Sequence, residues 1–175
     1  MIKKNPEVRP VMKAINKLGK IVNTVNRFSP KIRSKALSFL FSRTIKFAGT
    51  AGVRVQTLEE GQSVLHLANK KKVQNHIGSV HAAGTALLGE SATGFLAGLH
   101  IPDSRIPLLK NMNIDYVKRS TGNLTAKATL SQEQVDYIRN TEKGEIDVPV
   151  IITDEVGVEP VKCTYTWAWV PKKRK

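Results

Sequence analysis

A single cysteine, Cys163, stands among the 175 residues. It excludes an intrachain disulfide framework and suits a reducing, cytoplasmic compartment. Acids are scarce and unevenly placed, 14 against 28 Lys and Arg, and between Met1 and Thr50 only Glu7 is one. Aromatic residues make up 6%, and no basic strand interleaved with them offers a stacking platform for single-stranded nucleic acid. The apolar positions after the basic first residues are interrupted by Lys13, Lys17 and Lys20, so a secretory signal is not expected. One stretch, Ile77 to Ile101, has the length of a membrane span. Glu90 falls near its middle and no second stretch matches it, so a transmembrane reading is set aside.

What is present is 41% hydrophobic, enough for one domain with a proper core plus an appendage. The net charge of +14 belongs to the two ends. Twelve Lys and Arg precede Ala51, and Lys172-Lys173-Arg174-Lys175 adds four. The part between is close to neutral, so no nucleic-acid partner is expected. The chain divides into a basic amphipathic helical arm (1–49), an α+β domain (50–171) and a basic tail (172–175).

In the arm, Val11, Ile15, Leu18, Val22 and Val25 recur at three- and four-residue steps, with the lysines off that stripe. Ser29 and Pro30 break this helix and start a second, whose apolar side is Ile32, Ala36, Leu37, Leu40 and Phe41. Such an arm packs on the body or a neighbouring subunit, or lies peripherally on an anionic membrane. In the body, Val53–Leu58 and Ser63–Ala68 read as strands around the turn Glu59-Glu60-Gly61. A helix over Gly84–Leu99 follows. Met112, Ile114 and Tyr116 mark one half-buried strand, and Leu124, Ala126, Ala128 and Leu130 another. Ile146–Thr153 reads as a strand with Pro149 at an edge or bulge, and Val161, Cys163, Tyr165, Trp167 and Trp169 mark the last.

The helix Gly84–Leu99 is too apolar and small-sided to face water, yet it carries Glu90. A buried carboxylate without a partner costs several kcal/mol or shifts its pKa upward. Glu90 is therefore expected to be paired, at a subunit seam, or chemically employed. Just before the helix runs Asn75-His76-Ile77-Gly78-Ser79-Val80-His81-Ala82-Ala83. This places Asn75, His76 and His81 together, but no Cys or further carboxylate joins them at ligand spacing, so no metal site is expected. Structural roles are open to each residue: Asn75 as a loop acceptor, His81 as an orienting ring, Glu90 as an interface carboxylate. Gly84, Gly89, Gly94 and Gly98 permit close packing of helix on sheet.

This segment resembles the active-site signature of hotdog-fold acyl-CoA thioesterases of the phenylacetyl-CoA type, and more closely a hotdog branch with an Asn-His-x-Gly-x-x-His motif. In that type an Asn lies six residues before a His, a small residue follows the His, and an acid lies nine residues beyond it. Asn75, His81, Ala82 and Glu90 reproduce the spacing. His81-Ala82-Ala83 stands where the family often has His-Gly-Gly, and Ala82 still supplies the backbone N–H. The resemblance spans about Thr50 to Val170 and implies a hotdog fold, with an antiparallel sheet wrapped around a central helix. It further implies hydrolysis of acyl-CoA at a site shared between subunits of a dimer or tetramer, with no cofactor beyond the coenzyme A of the substrate.

On that resemblance the Ala82 N–H polarises the thioester carbonyl, Asn75 positions water or carbonyl, and Glu90 acts as general base or nucleophile. Glu90 lies roughly 13 Å along the helix from its start, too far to serve the same substrate from one chain. His81 orients the turn, and His76 and Gly78 line the substrate. Lys118, Arg119, Ser120, Thr121 and Gly122 form a basic, hydroxyl-bearing turn suited to the nucleotide phosphates, and Lys70-Lys71-Lys72 is a second candidate. The main rival is a non-catalytic acyl-CoA or lipid-binding module; the His-plus-acid patterns of hotdog dehydratases do not match.

Overall fold

The computed structural model describes residues 12–173. Val11 of the apolar stripe and Arg174 and Lys175 of the basic tail lie outside the described residues. In chain order the first elements are α1 (Lys17–Val25), α2 (Pro30–Thr44), α3 (Lys46–Ala51), β1 (Arg54–Glu59) and β2 (Gln62–Leu67). A 3-10 turn over Lys71–Val73 leads to the central helix α4 (Ala82–His100). Then come β3 (Arg105–Tyr116), β4 (Leu124–Thr129), α5 (Gln132–Asn140), β5 (Gly144–Asp147), β6 (Val150–Asp154) and β7 (Val161–Pro171).

Two antiparallel sheets, ordered β1-β2-β4-β6 and β3-β7-β5, enclose α4. The hairpin of β1 and β2 sets Glu59 opposite Gln62, leaving Glu60-Gly61 as its two-residue turn. Leu65 and Leu67 from β2, Leu124 from β4, Ile152 from β6 and Trp169 from β7 are fully buried with Leu88, Leu96 and Leu99 of α4. Two glycines let β7 approach α4. A Cβ on Gly89 would stand 2.3 Å from the Tyr165 hydroxyl, and one on Gly94 would stand 2.5 Å from Cζ2 of Trp167. The aromatic rings occupy that space and bond the helix: Tyr165 donates to the Ala86 carbonyl (3.0 Å) and Trp167 to the Thr93 hydroxyl (2.9 Å).

The arm packs inward. The Asn16 Oδ1 accepts from the Gly19 N–H (2.7 Å) and so caps α1. Its Nδ2 donates to the carbonyls of Gly98 (2.8 Å), Leu99 (3.2 Å) and Ile101 (2.7 Å), satisfying the end of α4. Val22 and Val25 are buried and Leu18 packs on the core, so the stripe that would have faced a membrane is turned to the body, where it is removed from water. Pro30 starts α2 as expected, with no cap bond from Ser29. Leu37 and Phe41 face inward, with Phe41 stacked on Phe95 of α4 at 3.9 Å between centroids. Ile32 and Leu40, expected on the same side, are exposed.

Three sequence expectations are corrected. The run Ile146–Thr153 is two strands in different sheets: β5 pairs with β7, and β6 with β4. Pro149 lacks an N–H to continue a ladder, and there the chain crosses between sheets. Val148 donates to the Tyr165 carbonyl on one side, and Pro149 accepts from Thr129 on the other. Second, α5 stands between β4 and β5, started by a reciprocal capping box of Ser131 and Gln134. Third, β3 begins at Arg105 and is not half-buried. It is an edge strand on which Ile106, Leu108, Met112 and Tyr116 are exposed, and only Ile114 packs against the core.

Candidate active site

The motif residues His81, Ala82 and Ala83 meet at the start of α4. His81 is its N-cap, and the His81 Nδ1 accepts from the Ala83 N–H at 3.0 Å. The ring proton is thereby placed on Nε2. The His81 carbonyl accepts from Gly84 (2.8 Å) and Thr85 (3.0 Å). Of the first four helical N–H groups, three are used within the chain, whereas no described residue accepts from the N–H of Ala82. A lone donor at the positive end of a helix dipole results.

The loop before it is shaped by Asn75. The Asn75 Oδ1 accepts from the N–H groups of Ile77 and Ser79, each at 3.1 Å, and the Asn75 N–H donates to the Ser79 carbonyl at 2.9 Å. This Asx-type turn reverses at Gly78, whose φ of +78° lies in the left-handed region that a side chain resists. Asn75 is thus a loop acceptor through Oδ1, while its Nδ2 is left to donate to a ligand.

Asn75 and Ala82 meet in a cavity of about 160 Å³. Its walls include Ile77, Ser79, Thr85 and Tyr116, and Lys118, Arg119 and Ser120 bring the basic turn to it. Tyr116 links the cavity to the edge of β3, because its hydroxyl donates to the Ala82 carbonyl at 2.7 Å. The Arg119 guanidinium donates to the Ile77 carbonyl (2.9 Å), and the Ser79 hydroxyl donates to the Ser120 carbonyl (2.9 Å). Ser79 and Tyr116 were not singled out from the sequence, since neither falls at a motif position.

Other expected residues do not join this wall. His76 is exposed, and Gly78 serves the turn. Thr121 and Gly122 lie under two carboxylates. Asp154 accepts from the Thr121 N–H (2.9 Å) and Glu155 from that of Asn123 (3.0 Å), and a Cβ on Gly122 would run into Glu155. Burial pushes the Asp154 carboxyl up, but backbone N–H donors from Thr121, Val158, Val156 and Gly157 outweigh it and hold the carboxyl below its ordinary range. The positive end of this turn is therefore carried by the side chains of Lys118 and Arg119. Lys72 of the second basic candidate bonds the Thr50 carbonyl.

Glu90 is half-buried on α4, away from the cavity wall. Burial raises its carboxyl above the usual range; the Thr93 hydroxyl donates to its backbone carbonyl at 3.1 Å, but no described residue forms a hydrogen bond or ion pair with the side-chain carboxyl. Among the described residues, no group of three His, Cys, Asp or Glu is placed to hold a metal ion. No described helix is long and apolar enough to cross a membrane.

A family model, the domain of unknown function DUF4442, matches residues 33–170. The chain belongs to the DUF4442 family. No curated protein matches it. Its solved structural neighbours include a Pseudomonas aeruginosa protein of unknown function described as a probable thioesterase, at TM-score 0.70 and 23% identity, covering 79% of this chain and 95% of that one. A Haemophilus influenzae thioesterase matches at TM-score 0.65 and 14% identity, covering 84% and 94%. A single-residue variant of a Staphylococcus aureus thioesterase matches at 0.62 and 21%, covering 72% and 99%. This DUF4442 protein accordingly shares their fold, the hotdog fold.

Proposed function

We propose that this DUF4442 protein hydrolyses acyl-CoA thioesters to free acid and coenzyme A at a site assembled from two subunits of a homodimer, or of a tetramer built from such dimers. The observation that carries the reading is the unengaged Ala82 N–H at the start of α4, on the wall of a cavity that also holds Asn75. A thioester carbonyl there accepts from Ala82, and the donor strengthens as the oxygen becomes an oxyanion. One such donor is worth roughly 3 kcal/mol in the transition state. The Asn75 Nδ2 holds the carbonyl or the attacking water, and Lys118 and Arg119 face the phosphates of the nucleotide.

Glu90 completes the site from the other subunit. Eight residues of helix separate it from Ala82, roughly 12 Å, so one chain does not bring both to one carbonyl. The unpaired edge of β3, with Tyr116 belonging to both edge and cavity, supports a second copy continuing the sheet there. In the reaction, the Glu90 carboxylate takes a proton from water as its oxygen attacks the carbonyl carbon. The tetrahedral intermediate then expels the coenzyme A thiolate, which takes that proton back from Glu90. A carboxyl raised by burial is a stronger base than an exposed one, which suits this role.

Thiol release from a panel of acyl-CoAs tests the reading. Glu90→Gln and Asn75→Ala are each expected to lose at least about 100-fold in turnover. Mixing the two variants under subunit exchange is expected to restore part of the activity, because some heterodimers hold one intact site. Turnover by Glu90→Gln equal to that of the parent, at equal thermal stability, removes the catalytic role. Tight acyl-CoA binding without turnover in the parent favours a binding module.

A further inference from the structure

The outer face of α2 is apolar and cationic in a way the fold does not explain. Ile32, Lys35, Phe39 and Arg43 recur at three- and four-residue steps on the side opposite the buried Leu37 and Phe41. Ile32 is 55% exposed and Phe39 58%, and the Arg43 guanidinium lies 5.0 Å from the centroid of the Phe39 ring. Gly49 sits directly against Ser42, folding α3 back on the last turns of α2. Lys46 and Phe47, the latter 65% exposed, therefore emerge at the same end as Arg43. Exposed aromatic rings on a helix pair are costly in water unless something covers them.

Charge decides between occupants. From Val8 to Leu58 the sequence holds eleven Lys and Arg and no Asp or Glu. A second copy seated on this face by a two-fold axis would set the cationic face of α2 and α3, which carry no acid, against the same cationic face. A surface of anionic lipid headgroups over hydrocarbon matches both halves of the pattern: phosphates for the cations, and the acyl boundary for Ile32, Phe39 and Phe47. We propose that the outer face of α2 and α3 is a peripheral docking surface for anionic bilayers. The buried stripe of α1 takes no part in it.

Sedimentation with vesicles tests this on the full chain. Vesicles of phosphatidylglycerol and phosphatidylcholine are expected to pellet the protein, and high salt to release it, whereas phosphatidylcholine alone leaves it in solution. Phe39→Ser with Phe47→Ser is expected to weaken binding at least about ten-fold. Lys35→Gln with Lys46→Gln is expected to weaken it about 25-fold, near five-fold for each cation. Ile151→Ser, which removes an exposed apolar side chain on β6, leaves binding unchanged. Hydrolysis of a short soluble acyl-CoA is unaffected in all of them, so the result stands apart from the proposed catalysis. The lysine pair decides the matter if the phenylalanine pair fails to fold. Parent protein that ignores anionic vesicles, variants that bind as the parent does, or a loss of oligomer instead of lipid binding each overturn the proposal.

Discussion

Gly89→Ala is expected to destabilise this protein, although the same change inside a free helix stabilises it by about 1 kcal/mol. The new Cβ would stand 2.3 Å from the Tyr165 hydroxyl oxygen, 2.6 Å from Cζ and 2.7 Å from Cε2. Tyr165 is fully buried, so any shift of its ring displaces core neighbours. Displacing the ring forfeits its hydrogen bond to the Ala86 carbonyl, about 1 kcal/mol, and overpacks the core by about 1–3 kcal/mol. Set against the helix gain, the net loss is about 1–3 kcal/mol, and Tm falls by about 2–12 °C. Gly98→Ala in the same helix is the internal control. Its Cβ would meet only Cδ2 of Leu18, at 3.6 Å, an ordinary contact, so Tm is expected to rise by up to a few degrees. Differential scanning calorimetry of both variants is decisive: a Gly89→Ala protein that melts above the parent, as Gly98→Ala does, refutes the close approach of β7 to α4.

Asn16→Ala removes the cap of α1 and the donor to three carbonyls at the end of α4, and urea unfolding is expected to show a loss of about 2–3 kcal/mol. A loss below about 0.5 kcal/mol would mean that water replaces the side chain without cost. His100 is fully buried, and its pKa is lowered from 6.5 to about 4, by burial first and then by the Arg139 charge, against the bond to the Glu60 carbonyl. The unfolded chain binds the proton first on acidification. The stabilising contribution is thus complete above pH 6.5 and is lost as pH falls towards 4, by about 3 kcal/mol. Unfolding at pH 7.5 and 4.5 should show this extra acid loss in the parent and not in His100→Gln; identical pH dependence would count against it.

The sequence was most legible where one residue type has one physical use. The apolar alternation of β4 and β7 and Pro30 at the start of α2 both appear in place. Less legible was anything set by a partner distant in sequence. Nothing local in Ile146–Thr153 says that its two halves serve different sheets, because the partners of β5 and β6 lie on β7 and β4. The Ser131-Gln134 box was in plain view, but α5 is only nine residues long and its apolar positions, Val135 and Ile138, are too few to stand out as a period. At the candidate site, the motif marks Asn75 and Ala82 of the cavity wall, whereas Ser79 and Tyr116 reach the same cavity through tertiary contacts that no spacing announces.

The contact between Asn16 and the end of α4 also sets an order of events in time. Its farthest acceptor, the Ile101 carbonyl, lies 85 residues downstream. At synthesis rates of about 5–20 residues per second, the first helix waits roughly 4–17 s for its docking site to be made. Throughout that interval Leu18, Val22 and Val25 lack the α4 side of their packing, on a nascent segment whose charges are almost all cationic. The growing chain is therefore most vulnerable to premature association at its beginning, and the completion of α4 ends that exposure.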